Sequence, residues 1–386
     1  MKQVAIVGIQ GVPAKYGGFE TLVENIIGDN CCSEVRYTVF CSGKDYATRM
    51  KTYKGAQLKY IPLFHANGMQ STPYDILSML RCLRGYDTVI ILGVSGCIFL
   101  PVFRLLYRKQ LIVNIDGLEH RRAKWGKFAR WFLRTSEAMA VRYADVIIAD
   151  NKGIQDYVWN TYHKKAELVA YGGDHAQRNV TEERQNEILR QYGIAPGNYA
   201  VSVCRIEPEN NSHLILKAFA TSGKNLVFVG NWKRSEYSRQ LKEEYCGRKN
   251  IQMVDSVYDL DILYALRNQC RCYIHGHSAG GTNPSLVEAM FFGKPILAYD
   301  VIYNRETTEN EAHYFKTNEE LVELLHDSPE DGYKMREIAK QHYTWAWHYK
   351  IFCVNGKYGI QVEFRIFYFI ALQNEEDYER KESSSA

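Results

Sequence analysis

The residues best suited to chemistry lie in one stretch, His275-Gly276-His277-Ser278-Ala279-Gly280-Gly281-Thr282-Asn283-Pro284-Ser285, followed by Leu286-Val287-Glu288-Ala289-Met290. Asn283 is a preferred helix cap and Pro284 suits a first helical position, so a helix is predicted to start at Pro284. Glycines ahead of it let backbone N–H groups come close to a ligand, and such a loop running into a helix start suits an anion. A diphosphate is the expected guest, with Gly280, Gly281, Thr282, Asn283 and Ser285 around it. Glu288, one turn into the helix, is placed to accept hydrogen bonds from vicinal hydroxyls of a sugar or ribose. The plainer alternative is a turn followed by an exposed glutamate.

A second loop, Arg205-Ile206-Glu207-Pro208-Glu209-Asn210-Asn211, leaves the strand ending at Cys204. A guanidinium at that strand end can neutralise a departing diphosphate through paired hydrogen bonds, with Glu209 beside it; otherwise Arg205 is a surface ion-pair residue. Near the start of the chain, Gly17-Gly18 precede a predicted helix at Phe19–Ile27 whose start is expected to face the cleft, with both glycines at the donor. A nicotinamide site does not fit there. Gly8 and Gly11 lack the middle glycine of G-x-G-x-x-G, and the second strand ends at Phe40-Cys41 without a carboxylate.

Asp116 and His120 follow the strand Gln110–Ile115 and are placed to contact or orient an acceptor hydroxyl; a capping role for Asp116 is equally open. Residues 121–134 hold six basic residues and no acid, interleaved with aromatics. Arg121, Arg122, Lys124 and Trp125 could rest on an anionic membrane surface or grip a lipid pyrophosphate, or the stretch is a core helix with one solvated basic face. Asp259-Leu260-Asp261 matches a metal-binding D-x-D pattern but opens a predicted helix (Ile262–Asn268), where aspartates serve as caps. No metal is expected.

These loops need a scaffold that delivers them to one place. Apolar runs at Gln3–Gly8, Val35–Cys41, Gln57–Leu63, Thr88–Leu92, Gln110–Ile115, Asp145–Ala149 and Glu167–Ala170 read as strands. Helical patterns at Tyr74–Leu83, Phe128–Tyr143 and Gly153–Tyr162 separate several of them. That is the rhythm of a doubly wound parallel sheet. After a polar stretch from Gly172 to about Asn198 it resumes at Tyr199–Cys204, Asn225–Val229, Ile251–Val254, Cys270–His275 and Pro295–Ala298. Two α/β domains facing a central cleft are therefore predicted, with ligands beyond the carboxyl ends of the strands.

Composition sets the outer bounds. The 386 residues suffice for two domains, and 46% hydrophobic with 24% charged residues is ordinary for a soluble globular protein. A net charge of +4 does not argue for nucleic acid. No cysteine pair has C-x-x-C spacing, and the N-terminus reads as a strand, so a reducing cytoplasm without disulfides is expected. Thr88–Tyr107 has the length of a membrane span, but Gly93, Gly96, Pro101 and Arg104 break it into a strand, a turn and a helix.

Together these residues resemble the retaining GT-B glycosyltransferases of family 4, and within it the bacterial rhamnosyltransferase-type subgroup that builds capsular and surface polysaccharides. The matching stretches are Gly11 to Thr21, Asn114 to Glu119, Tyr171 to His175, Arg205 to Asn211 and His275 to Met290. The resemblance implies two Rossmann-like domains: an acceptor-side domain over 1–172 and a nucleotide-sugar domain over 173–330. A helix over 331–352 would return toward the first domain, and 353–386 is an atypical tail, with disorder expected after about Asn374. It implies Arg205 on the diphosphate and Glu288 as the second glutamate of the E-x7-E motif, on the ribose. The motif's first glutamate falls at Gly280 and the family's usual lysine at Asn210. The activity implied is transfer of a sugar, with dTDP-L-rhamnose the leading donor, to a lipid-linked saccharide at the inner face of the cytoplasmic membrane. A nucleotide-sugar epimerase and a non-catalytic nucleotide-sugar-binding protein are the alternatives.

Overall fold

The computed structural model describes residues 1–14, 17–28, 35–66, 68–122 and 125–345. Lys124, residues 346–352 of the returning segment and the tail 353–386 lie outside the described residues, and so do the expectations made for them.

The first half forms a sheet from β1 (Lys2–Val7), β2 (Val35–Ser42), β3 (Thr52–Tyr53), β4 (Ala56–Ile61), β5 (Thr88–Leu92), β6 (Gln110–Asn114), β7 (Val146–Ala149) and β8 (Glu167–Leu168). Their spatial order is β3-β4-β2-β1-β5-β6-β7-β8, and every pair is parallel except β3 with β4. That pair turns through Lys54-Gly55, both with positive φ, as a two-residue hairpin loop requires.

The second half forms β9 (Ala200–Val203), β10 (Leu226–Val229), β11 (Ile251–Val254), β12 (Cys272–His275), β13 (Ile296–Tyr299) and β14 (His313–Phe315). Their order, β11-β10-β9-β12-β13-β14, is parallel throughout. Side chains of these strands alternate between two cores. Val201, Val227 and Tyr273 pack on one face, and Ala200, Phe228 and Ile274 on the other. Burial on both faces explains why the strands read as mostly apolar runs, interrupted by Ser202 in β9 and Gln252 in β11. Among these, Val201, Val227, Phe228 and Ile274 each contribute about 1.5–3 kcal/mol on leaving water.

Strand order reverses between β1 and β5 in the first sheet and between β9 and β12 in the second. The loops leaving β9 and β12 are the two that carry Arg205 and the glycines. A doubly wound sheet delivers them to one end by construction.

Two departures from the sequence pattern have local causes. The polar stretch after Gly172 contains a helix, Glu182–Gln191, capped by the Thr181 hydroxyl. Only Gln185, Ile188 and Leu189 are buried on it, and Gln185 Oε1 accepts from Asn268 and Gln269 at 2.8 and 2.9 Å. Its single narrow seam hid it in a run of charges. The run from Thr88 breaks as expected into β5 and a short helix, Leu100–Leu106. Among the described residues no helix is long and apolar enough to cross a membrane.

Candidate active site

The β9 and β12 loops are tied to each other. Asn210, at 2% exposure, donates its side-chain N–H to the Arg205 carbonyl at 2.8 Å, and its Oδ1 meets His277 Nδ1 at 2.8 Å. Asn211 donates to the Gly276 carbonyl, and Ser278 donates through both N–H and hydroxyl to the Glu209 carbonyl. Gly276 is required because a Cβ would run into the Asn210 carbonyl. So the position where the family's lysine would stand serves as a buried clip between loops. Burial holds His277 well below its ordinary pKa and His275 at about 3, so both imidazoles are neutral.

Arg205 stands at the carboxyl end of β9 with 37% of its side chain exposed. Its guanidinium lies 3.7 Å from Glu207 and 3.8 Å from Glu209. Glu209, only 11% exposed, also lies 3.4 Å from Arg122 Nη1 of the first lobe. The carboxylate expected beside a donor is thus set between two arginines and bridges the lobes.

The helix spans Pro284–Met290, as the cap predicts, and Asn283 Oδ1 accepts from the Ser285 N–H and hydroxyl. The glycines are used differently from expectation. Gly280 and Gly281 have positive φ, and a Cβ would strike the Gly117 carbonyl and the Asp150 carboxylate respectively. The Thr282 hydroxyl donates to the Asp150 carbonyl at 2.5 Å and lies 3.3 Å from Asn151 Nδ2. The space opened by the missing side chains is filled by the first lobe. Across the same junction Gly18 stands against Pro284, and Gly17 is crowded by the carboxylate of Glu20.

Glu288 is largely buried and has two partners. Arg267 Nη2 lies 2.5 Å from Oε2, and His175 Nε2 lies 3.2 Å from Oε1. Burial alone would raise its pKa, but the Arg267 charge and His175 outweigh burial and hold it at about 2. Glu288 is therefore an oriented, ionised acceptor and not the exposed glutamate of the plainer alternative.

In the first lobe, Asp116 follows β6 with φ +60, and its N–H donates to Asn114 Oδ1 at 3.0 Å. It caps no helix: the 3-10 turn Glu119–Arg121 starts from Leu118 without a side-chain cap. His120 lies on that turn, 12% exposed, with Nδ1 3.0 Å from the fully buried Glu137, which also accepts from the Tyr157 and Tyr162 hydroxyls.

The basic stretch divides in two. Arg122 is 12% exposed and paired with Glu119 at 2.7 Å, and Trp125 Nε1 donates to Glu119. Arg121 lies over the Tyr157 ring at 4.8 Å. Arg122 and Trp125 are therefore braces near the lobe junction, contrary to their expected membrane role, because Glu119 and Glu209 draw the arginine inward. The outward face lies further along the helix Lys127–Tyr143, where Phe128 and Trp131 are 77% and 62% exposed. Asp259 is a helix cap, accepting from the N–H groups of Asp261 and Ile262. Among the described residues no group of His, Cys, Asp and Glu is arranged to hold a metal ion.

Sequence reasoning missed Asp150, Glu137, Arg267, His175 and Trp345. Asp150 could have been found, because it ends the run Val-Ile-Ile-Ala-Asp at the carboxyl end of β7. Burial, with the nearby Asp116 charge, pushes it up to about 8.

Residues 1–174 match a domain of unknown function, DUF1972, and residues 184–345 match the glycosyl transferases group 1 family. No curated protein matches the sequence. Among solved structures, sucrose-phosphate synthase from Thermosynechococcus elongatus superposes with TM-score 0.76 at 15% identity, over 91% of this chain and 97% of that one. Anabaena HepE in complex with UDP and glucose gives 0.70 at 14%, over 91% and 98%. The catalytic domain of starch synthase IV from Arabidopsis thaliana, bound to ADP and acarbose, gives 0.66 at 12%, over 91% and 97%. Residues 184–345 therefore carry a glycosyl transferases group 1 domain, in a chain with the two-lobed GT-B glycosyltransferase fold.

Proposed function

We propose that this protein moves a sugar, with L-rhamnose from dTDP-rhamnose the leading case, from a nucleoside diphosphate to a hydroxyl of a lipid-linked saccharide, with retention and without a metal. One observation carries this reading: the second-lobe reversal point brings Arg205, the clipped β9 and β12 loops and the ionised Glu288 to the end of the sheet where ligands bind. UDP, UDP-glucose and ADP complexes among the structural relatives support a nucleotide-sugar donor.

In the reaction the bond from the anomeric carbon to the phosphate oxygen breaks, and a bond to the acceptor oxygen forms on the same face. The acceptor proton passes to the departing phosphate oxygen. Arg205 stabilises the diphosphate charge as it grows, since the N–H groups at the start of the Pro284 helix are already taken by Asn283. Asp116 and His120 orient the acceptor hydroxyl, and closure of the lobes excludes water.

The acceptor-side surface suits the inner face of the cytoplasmic membrane. Phe128 and Trp131 stand 5.8 Å apart on a helix whose exposed side also carries Lys127, Arg130 and Arg134. Leu105 and Leu106 are exposed on the helix Leu100–Leu106 packed beside it. Aromatic and aliphatic side chains framed by cations fit an anionic lipid surface. Vesicles containing anionic phospholipid should sediment the native protein but not the Phe128→Ser, Trp131→Ser double variant.

Product analysis tests the chemistry. Purified protein is incubated with nucleotide sugars, with and without a lipid-linked saccharide. Transfer releases nucleoside diphosphate and lengthens the lipid only when both are present. An isomerised donor without acceptor would identify an epimerase, and binding without turnover a sugar-nucleotide-binding protein.

A further inference from the structure

Glu288 meets the returning chain segment through one imidazole. Trp345 Nε1 donates to His175 Nδ1 at 2.9 Å, and His175 Nε2 lies 3.2 Å from Glu288 Oε1. An indole N–H can only donate, so Nδ1 is the acceptor. The imidazole proton is then on Nε2, where it donates to the carboxylate. On the far side of Glu288, Arg267, only 3% exposed, holds Oε2. One oxygen is thus fixed by the second lobe's own helix Leu260–Asn268, the other by a residue answering to Trp345.

The indole is itself firmly placed. It is 5% exposed, its backbone N–H donates to Asp174 Oδ1 at 3.0 Å, and the Gly173 N–H donates to the Tyr343 carbonyl at 2.8 Å. Gly172 lies under the ring so closely that a Cβ would come within 2.6 Å of it. His175 and Trp345, together with Glu24, Asn25 and Gly28 of the first lobe, also line a cavity of about 270 Å³. The relay therefore runs along the lobe junction.

We infer that Trp345 is a positioning residue for nucleotide binding: by fixing the His175 tautomer it presents Glu288 to the ribose hydroxyls of the donor. This rests on the donor reading of Glu288 given above. An imidazole without that indole could rotate or present its unprotonated nitrogen, and the carboxylate would lose a donor and its fixed orientation. Ribose contacts serve ground state and transition state alike, so losing them raises donor KM and leaves kcat almost unchanged.

The test uses full-length protein and the tightest binder among UDP, dTDP, GDP and ADP, with melting curves to establish folding. Trp345→Phe keeps the packing and removes the N–H. His175→Leu keeps bulk and removes both hydrogen bonds, whereas a glutamine amide can accept from the indole and donate to the carboxylate. Trp345→Phe and His175→Leu should weaken nucleotide binding about five- to tenfold, and His175→Gln by no more than about twofold. If Leu and Gln are equally damaging, the histidine acts by packing and the relay is overturned. Native affinity in Trp345→Phe and His175→Leu, alongside a weakened Glu288→Gln, overturns the relay but leaves the donor site standing. Native affinity in Glu288→Gln overturns both.

Discussion

Both sheets reverse strand order at a central strand, and both reversal points lie beside a helix that begins after glycines, yet the space at the two helix starts is filled differently. In the first lobe Gly17 makes room for the chain's own Glu20, whose carboxylate folds back and accepts the Gln10 N–H at 2.8 Å. In the second lobe the neutral Asn283 caps the helix, and the nearest carboxylate on it, Glu288, is drawn to Arg267 and His175. A glycine-rich turn into a helix is thus not an anion site by itself. What decides is whether a side chain from the next turn has already taken the position, and whether a cation stands nearby. The first-lobe helix start carries its own acid; the second-lobe one has Arg205 at the end of the neighbouring strand.

Replacing Arg205 should break this contrast most severely. If it takes the charge of the departing diphosphate, Arg205→Ala lowers kcat/KM about 10²- to 10³-fold, and Arg205→Lys recovers only part, because an ammonium cannot bond two oxygens in a fixed fork. Steady-state transfer assays with saturating acceptor measure it. Normal kinetics in Arg205→Ala would move the diphosphate away from the β9 loop.

Glu20→Gln probes the first-lobe helix start through stability. Burial pushes the Glu20 carboxyl up to about 7, against hydrogen bonds from Gln10 and its own N–H. A carboxyl raised in the folded state keeps its proton where the unfolded chain has lost it. Its stabilising contribution is therefore complete below about pH 4 and lost as pH rises through 7. Glutamine cannot ionise, so the variant should gain on the native protein between pH 4 and pH 8, by up to roughly 3 kcal/mol. Urea titrations across that range check the sign, and a difference independent of pH would contradict a helix start filled by its own acid.

How much of this could be read from the sequence depends on the distance over which each feature is set. Thr88–Leu92 and Ile251–Val254 are strands over the residues predicted: full burial of the first writes an almost continuous apolar run, and the second is apolar but for the half-buried Gln252. The caps at Asn283 and Asp259 were legible for the same reason: a cap concerns only the next few residues. The strands Thr52–Tyr53 and His313–Phe315 are too short to show a pattern. What the site residues face was hidden. Gly280 and Gly281 look like a ligand loop until Gly117 and Asp150 are brought against them, and Arg122 reads as a surface cation until Glu119 and Glu209 enclose it. Those meetings are made by the closing of two sheets, which no local spacing records.

The smallest predicted effect separates two reasons for a glycine. Gly223 ends the helix Ser212–Ser222 at φ +68 with nothing within 4 Å of the place a Cβ would occupy. Gly223→Ala therefore meets only left-handed strain, about 1–2 kcal/mol. Gly281 has φ +48, so Gly281→Ala bears the same strain, but its Cβ must also displace the Asp150 carboxylate at the lobe junction. The second variant should lose more, by about a further 1–3 kcal/mol, since the added methyl overpacks a closed contact. Adding Asp150→Ala should return most of that excess in Gly281→Ala and none in Gly223→Ala. Equal losses in the two single variants would mean that Gly281 serves its own turn only, and that the glycine loop is free to face a ligand instead of the other lobe.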